Sequence, residues 1–333
     1  MIKQPFDVVI VSDFSGPASR RFEIMTLFFL ASWLEFGGDS RDLPLHIACI
    51  GDPPESVRTL GERCSARFST HTPLLFGGFA NKLRGFEIQR ETDHILLLDS
   101  DMLILSDISG LSTAVGSDCI AAATANGLGL NSTARWRDIH ESLGLAYPDG
   151  HTIPLSLQLD TYECANYRDC KLNELAPYYN GGIIYAPWES SLGDVWRDHL
   201  IRISEIDPKR SSNQPSLATA IHELQLKGIK FRLLPDEYHV RWQHISTGAV
   251  RSRDIKLLHT IGFGGRESSG DTAKQDIKKY RLHTLKQTFK LRSHRSLRER
   301  LAHYLGMHIE VREWFCIYDT LQLLYTSYVR ELE

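Results

Sequence analysis

Two acidic residues, Asp99 and Asp101, stand two positions apart directly after the apolar run 95–98. Open α/β sheets bind ligands at the carboxyl ends of their strands, so this position suits a binding site. Neighbouring carboxylates repel each other unless protons or a cation offset their charge. Mg²⁺ or Mn²⁺ would do so and would also bind the phosphate oxygens of a ligand. The pair therefore predicts a divalent-cation site, although an isolated Asp-x-Asp also fits a strand end with a solvated, turn-capping Asp.

A second polar segment, Asn180-Gly181-Gly182, precedes another apolar run. Glycine lets a backbone approach a ligand closely, and an Asn amide offers both a donor and an acceptor to hydroxyl groups. The segment is therefore a candidate contact for a hydroxyl-rich ligand. An ordinary Asn-Gly turn explains the same residues.

The elements that must position these residues follow an alternating pattern. Short apolar runs predict strands at 7–11, 45–50, 94–98, 119–124, 182–185, 231–234 and 256–258. Helix-like patterns occupy 20–36, 56–64, 80–90, 192–203 and 214–226. Such alternation is typical of an α/β fold, here a mostly parallel, Rossmann-like sandwich with helices on both faces. Section 126–177 is less regular. The chain reads as helical from Asp271, so we expect a main domain at 1–270 and a helical C-terminal extension at 271–333.

Composition narrows the class of protein. The 333 residues carry a net charge of −3, which gives no bulk signal for binding nucleic acid. None of the six cysteines forms a Cys-x-x-Cys pair, which argues against a zinc site and favours free thiols. The apolar stretch 24–34 is too short to span a bilayer, and the first residues lack the pattern of a signal peptide. We therefore expect a cytoplasmic protein.

The segment from Asn81-Lys82-Leu83 through Phe86-Glu87 to Asp99-Ser100-Asp101 resembles retaining glycosyltransferases of family eight, which include glycogenin-like and bacterial lipopolysaccharide galactosyltransferase-like members. Their fold is a nucleotide-diphospho-sugar transferase sandwich. The resemblance implies that Lys82 faces the donor and that the Asp99-Ser100-Asp101 segment binds the donor and a Mn²⁺ or Mg²⁺ ion. A solvated helix residue is the alternative for Lys82.

Two later segments fall in the order of the same family. The resemblance implies that Asn180, Gly181 and Gly182 contact the transferred sugar. It places Gln214 near the anomeric carbon, whereas the neighbouring Asn213 stands where the family often has an acid. That departure leaves a covalent carboxylate intermediate at this position in doubt. Helix capping is the alternative role for both residues.

The late segment 257–265 resembles the family's His-x-x-Gly segment, which implies that His259 is the third protein ligand of the metal. A neutral imidazole with two carboxylates suits Mn²⁺. Gly262 belongs to the same segment and is a candidate donor contact. The family's diphosphate-binding Lys is replaced here by Gly265, so Arg266 is the candidate substitute. A structural histidine is the alternative for His259.

The resemblance implies that the loop at the end of the first strand, Val11-Ser12-Asp13, holds the base and ribose of the donor. It lacks the family's usual Thr and Tyr spacing, and Phe14 could stack on the base. Uridine is therefore favoured by the resemblance alone.

The activity that the resemblance implies is transfer of a hexose from a UDP-sugar to an acceptor hydroxyl with retention. An inverting enzyme would need a general base, for which Asp160, Glu163 and Glu174 are candidates. The acceptor could be a carbohydrate, a lipid-linked glycan or a small molecule. We expect section 126–177 to shape its site, with Trp136, Tyr162 and Tyr167 stacking on sugar rings.

The region from Lys274 to Arg300 is basic and carries apolar residues at helical spacing. It could bind peripherally to the inner face of a membrane. A helical cap packed on the main domain is the favoured interpretation, and a homodimer contact is a third.

Three other classes share some of these features. A haloacid-dehalogenase-like phosphohydrolase also has Asp-x-Asp after an apolar strand, but usually near the N-terminus. A sugar nucleotidyltransferase would need a Gly-rich first loop, which 12–21 lacks. A non-catalytic nucleotide-sugar-binding or glycan-binding relative would not need intact metal-binding acids.

Overall fold

A seven-stranded sheet forms the centre of the protein. The computed structural model describes residues 5–74, 80–125, 133–148, 178–206, 213–240 and 255–259. The strands are β1 Asp7–Asp13, β2 Leu45–Ile50, β3 Arg67–His71, β4 His94–Asp99, β5 Met102–Ile104, β6 Cys119–Thr124, β7 Tyr179–Pro187, β8 Lys230–Leu233 and β9 Leu257–His259. The order in the large sheet is β3-β2-β1-β4-β7-β6-β8, and β5 and β9 form a second, two-stranded sheet. The predicted α/β fold is confirmed.

Helices cover both faces of the large sheet. They are α1 Ser19–Phe36, α2 Glu55–Arg63, α3 Leu111–Val115, α4 Thr133–Ser142, α5 Leu192–Ile206 and α6 Asn213–Leu226. One apolar core lies between the sheet and α1, and a second lies beneath α5 and α6. None of the helices in the described ranges is long and apolar enough to cross a membrane.

Most sheet neighbours run parallel, but β7 does not. β1 pairs in parallel with β2 and with β4, whereas β7 is antiparallel to both β4 and β6. Leu98 of β4 lies opposite Ile183 of β7. The beginning of β7 therefore lies beside the carboxyl end of β4, where the acidic pair stands.

The small sheet positions His259, at the end of the described residues. β5 follows Asp101 directly and pairs antiparallel with β9, so that Met102 lies opposite His259. The pairing carries His259 from a distant part of the sequence to the acidic pair.

One predicted helix is of a different type, and one helix was not predicted. The predicted helix 80–90 is a 3-10 helix, Ala80–Glu87, packed closely on the sheet. A Cβ on its Gly85 would lie 2.5 Å from a methyl carbon of Leu97, which shows how near the backbone comes. The irregular section 126–177 contains α4, whose first residues gave a polar pattern without a clear apolar stripe. The predicted extension 271–333 lies outside the described residues.

Strands β3 and β5 were not predicted. β3 is an edge strand whose residues are all at least partly exposed, so it lacks an apolar run. β5 has only three residues and continues the apolar pattern after Asp101. Neither strand gives a signal that local hydrophobicity could separate from its surroundings.

Candidate active site

Three side chains meet at the edge of the sheet where β4 ends. The ligand atoms of Asp99, Asp101 and His259 all lie within 4.8 Å of one another. Nε2 of His259 lies 3.2 Å from Oδ1 of Asp101 and 3.9 Å from Oδ2 of Asp99. The structure thus brings together the three residues that the sequence suggested as metal ligands.

The separations within this cluster fit a hydrated divalent ion. Neighbouring ligands around an octahedral ion with bonds of about 2.1 Å lie roughly 3 Å apart. Two carboxylates and an imidazole are a suitable donor set for Mn²⁺, while Mg²⁺ favours the oxygen ligands. Asp99 is 26% exposed at its side chain, so substrate phosphate and water could complete the coordination from outside.

The charge state of Asp101 suits the same role. Burial acts to raise the pKa of its carboxyl, but the charge and hydrogen bond of His259 oppose it, helped by Lys82 and Arg21. The pKa of Asp101 is lowered overall, so the group is an anion at neutral pH. Arg21, at the beginning of α1, is a contributor that sequence reasoning missed, because no local motif connects it with residue 101.

Lys82 holds the other oxygen of Asp99. Its Nζ lies 2.5 Å from Oδ1 of Asp99 and donates a hydrogen bond to the carbonyl oxygen of Gly181 at 2.7 Å. Its side chain is only 13% exposed, so the contact is largely shielded from water. Lys82 thus connects the 3-10 helix with β4 and the beginning of β7, and leaves Oδ2 of Asp99 to face His259.

Asn180, Gly181 and Gly182 form the wall of the site opposite the acidic pair, which we call the Asn180 wall. Oδ1 of Asn180 accepts a hydrogen bond from the backbone N–H of Gly182 at 2.6 Å. A Cβ on Gly182 would lie 2.6 Å from Oδ2 of Asp99, 2.7 Å from Oδ1 of Asn180 and 3.0 Å from Cε1 of His259. A side chain at position 182 would therefore overlap the three polar groups, which explains the glycine physically.

Gln214 is tied to the same strand. Its Oε1 accepts a hydrogen bond of 2.7 Å from the hydroxyl of Tyr178, the residue just before β7. The bond orients the amide of Gln214 relative to the beginning of β7. Asn213 is the first residue of α6. Tyr178 is a contributor that the sequence pattern did not single out, since a tyrosine beside a strand has many roles.

The residues at the end of β1 face opposite sides of the sheet. The Ser12 hydroxyl is buried and lies 2.7 Å from Oγ1 of Thr26 in α1, so this hydroxyl is already engaged within the core.

Asp13 accepts hydrogen bonds from Ser15 and from Nδ2 of Asn81, the latter at 2.9 Å. Val11 pairs with Asp99 in the sheet. Phe14 is partly buried against the core.

Ser100, between the two acids, is buried with 4% exposure. It is placed by the turn that connects β4 with β5.

One expected acceptor contact is corrected. Trp136 is fully buried, with its ring 5.6 Å from that of Tyr178 and 6.0 Å from that of His140, so it cannot stack on a sugar. The other predicted site residues lie outside the described residues: Gly262 and Arg266 for the donor, Tyr162 and Tyr167 for the acceptor, and Asp160, Glu163 and Glu174 as general bases.

Solved structures with a similar course of the chain include three glycosyltransferases. The galactosyltransferase LgtC, in complex with donor and acceptor sugar analogues, is 14% identical over 93% of this chain and 99% of its own, with a TM-score of 0.47. GlyE of Streptococcus pneumoniae is 13% identical over 95% of this chain and 64% of its own, with a TM-score of 0.45. Mouse xyloside xylosyltransferase 1 is 13% identical over 77% of this chain and 97% of its own, with a TM-score of 0.43.

The amino-acid sequence itself gives the family. None of the curated proteins compared matches it. The sequence model of the Rhodobacterales glycosyltransferase domain matches residues 18–225, more than half of the 333, and includes both acids, Lys82, Asn180 and Gln214. The predicted enzyme class is thereby confirmed, and the chain belongs to the Rhodobacterales glycosyltransferase domain family.

Proposed function

We propose that this glycosyltransferase moves a hexose from a nucleotide-diphosphate sugar, a UDP-sugar, to an acceptor hydroxyl, and that it requires Mn²⁺ or Mg²⁺. The observation that carries the proposal is the meeting of Asp99, Asp101 and His259 within 4.8 Å at the end of a central strand. A bound divalent ion would offset negative charge on the diphosphate as the sugar–phosphate bond breaks. The three residues would hold that ion, and Asp99 would remain oriented by Lys82.

The protein's own groups define where the sugar would lie. Asn180 would contact sugar hydroxyls with its amide N–H groups, since its Oδ1 is already used by Gly182. Gln214, oriented by Tyr178, would lie beside the anomeric carbon. Val11, Ser12 and Asp13 would contact the nucleoside, and Gly262 and Arg266 the diphosphate.

For the stereochemistry we propose retention. The bond from the anomeric carbon to the phosphate oxygen breaks, and a bond from that carbon to the acceptor oxygen forms on the same face. The acceptor proton passes to the departing phosphate oxygen, so no protein base is consumed. Gln214 and Asn213 carry no carboxylate that could form a covalent intermediate at this position, which supports direct transfer.

The proposal extends to the rest of the chain. We propose that 1–270 forms the catalytic domain and 271–333 a helical extension, in an enzyme of the cytoplasm. The extension would pack on the catalytic domain; peripheral membrane binding and a homodimer contact are the other interpretations. Sedimentation with anionic vesicles would detect the former, and light scattering the latter.

The decisive experiment measures nucleotide release from a panel of nucleotide-sugars. Wild type and Asp101→Asn would be compared with Mn²⁺, with Mg²⁺ and with a chelator, with and without simple sugar acceptors. We expect metal-dependent UDP release from one donor, reduced by about 100-fold or more in Asp101→Asn. The matched control is Asp107→Asn, an acid outside the cluster.

Other outcomes would change the conclusion. Release that survives the chelator would contradict metal dependence. Metal-dependent binding of a UDP-sugar without turnover across acceptors would favour a binding-only relative. Phosphate release from simple phosphomonoesters, in place of nucleotide release, would favour a phosphohydrolase. The anomeric configuration of the product, read by NMR, tests retention separately.

A further inference from the structure

A buried histidine, His239, stands behind the candidate metal ligand His259. Nε2 of His239 lies 3.0 Å from Nδ1 of His259, and the two ring centroids are 5.2 Å apart. His239 is fully buried, while His259 is 6% exposed. The contact uses the ring nitrogen of His259 that does not face the acids, since Nε2 is the atom 3.2 Å from Asp101.

Backbone hydrogen bonds hold the two residues side by side. The N–H of His259 donates to the carbonyl of Val240 at 2.8 Å, and the N–H of Val240 donates to the carbonyl of Leu257 at 3.0 Å. His239 is therefore joined to β9 through its immediate neighbour in the chain. It also closes the 3-10 helix Asp236–Tyr238, with its N–H 3.3 Å from the carbonyl of Asp236.

The chemistry of metal binding assigns the protons in this pair. A His259 ring that binds a cation through Nε2 must be neutral and must carry its proton on Nδ1. That proton points at Nε2 of His239, which must then accept the hydrogen bond. Partners of this kind fix the tautomer and the orientation of metal-binding histidines, and their removal typically weakens metal affinity by about 10- to 100-fold.

We propose that His239 is a positioning residue, which accepts a hydrogen bond from Nδ1–H of His259 and thereby holds Nε2 towards the cation. The proposal rests on the proposed metal site of Asp99, Asp101 and His259. It adds a residue that no motif marks, because His239 lies just after the 3-10 helix Asp236–Tyr238, twenty positions before its partner in β9.

The test uses two substitutions of similar shape. In His239→Gln, the amide oxygen can accept the hydrogen bond near the position of the original nitrogen, whereas His239→Met fills similar space without a comparable acceptor. The probe is Mn²⁺ alone, and its dissociation constant is measured by the EPR signal of the free ion on the full-length protein. We expect His239→Met to weaken Mn²⁺ binding by about 10- to 100-fold and His239→Gln to restore most of it.

The control is His199→Met, which removes another fully buried histidine, one that lies between α5 and α6 and bonds to Thr219 and Glu223. It should leave Mn²⁺ affinity unchanged even where it lowers the melting temperature. A readout on the wild type does not depend on how the variants fold: NMR of the Zn²⁺-loaded protein should show the His259 proton on Nδ1.

The two proposals fail in different ways. If wild type binds Mn²⁺ and Asp101→Asn does not, but both His239 variants bind like wild type, the positioning role is wrong and the metal site stands. If wild type and Asp101→Asn both fail to bind Mn²⁺, the metal site itself is wrong. A His259 proton on Nε2 in the Zn²⁺-loaded protein would also overturn the role of His239.

Discussion

The α-carbon of Gly182 faces the carboxylate of Asp99 so closely that a methyl group there would lie 2.6 Å from Oδ2. This contact follows from the antiparallel pairing of β7 with β4, which continues to Leu98 and Ile183. The glycine thus sets the width of the space between the acids and the Asn180 wall.

Replacing Gly182 with Ala should disable the site. The added methyl group would overlap Asp99 and Asn180, and since both belong to the central sheet they cannot both move away without strain. We expect transferase activity to fall by about 100-fold or more, with a melting temperature lower by several degrees. Gly110→Ala is the control, because nothing lies within 4 Å of its added carbon. Wild-type turnover in Gly182→Ala would contradict the assignment of this wall to the sugar site.

Loss of the Lys82 ammonium should reduce catalysis more than folding. Lys82→Met removes the hydrogen bond to Gly181 and the ion pair with Asp99 but keeps much of the side-chain volume. We expect kcat to fall by roughly 10- to 100-fold, the order seen when a partner that orients a metal ligand is removed. Lys230→Met, which removes an exposed ion pair with Asp118, should leave kcat unchanged. Equal kinetics in the two variants would show that the Lys82 ammonium does not contribute to catalysis.

The hydroxyl of Tyr178 should act through Gln214. Tyr178→Phe removes one hydrogen bond of about 1 kcal/mol and frees the amide to rotate, so kcat should fall roughly fivefold. In a Gln214→Ala background the same change should have no further effect, which steady-state kinetics of the double mutant would show. Tyr179→Phe is the control, since that ring packs on Phe231, with centroids 4.5 Å apart. Additive effects of the two substitutions on kcat would show that Tyr178 does not act through Gln214.

Stability should decline in mild acid because of His140. Burial, with the nearby His222 and His199, lowers the pKa of His140 to about 4 despite its hydrogen bond with the carbonyl of Trp136. Since an unfolded histidine has a pKa of about 6.5, the unfolded chain takes up the proton first as pH falls. The stabilisation is complete above about pH 6.5 and is lost towards pH 4, by about 3 kcal/mol at most.

Urea denaturation at several pH values between 7.5 and 4.5 would measure this loss. The free energy of unfolding should fall less steeply with decreasing pH in His140→Leu, because leucine cannot take up a proton. An unchanged slope would assign the acid sensitivity to other groups, such as His199, whose pKa burial also lowers.

Two cysteine thiols should resist modification. Burial raises the pKa of Cys49 and of Cys64 to about 12, so almost no thiolate forms at pH 8. We expect iodoacetamide to leave both unmodified in the native protein and to label both in urea, as peptide mass spectrometry would show. Rapid labelling of the native protein would show that β2 and the end of α2 open readily.

The parts of the protein that the sequence determined are those where local pattern and burial coincide. Strands β2 and β6 are fully buried, mostly apolar runs, so their limits could be predicted from local hydrophobicity. The acids Asp99 and Asp101 could be recognised because they end such a run, and strand ends of α/β sheets collect ligands. Strand β1 and the helices α1, α2, α5 and α6 could be predicted for the same reason.

Tertiary structure decided which distant residues meet there. The sequence pattern of β7 is the same in either direction, and only its antiparallel pairing beside β4 brings Asn180 and Gly182 to the acids. The three-residue β5 pairs with β9, and this pairing brings His259 to the acidic pair. Trp136 looked available to a sugar but is enclosed by the core. Local periodicity records whether a side chain is buried, whereas strand direction and partner choice depend on the free energy of packing the whole chain.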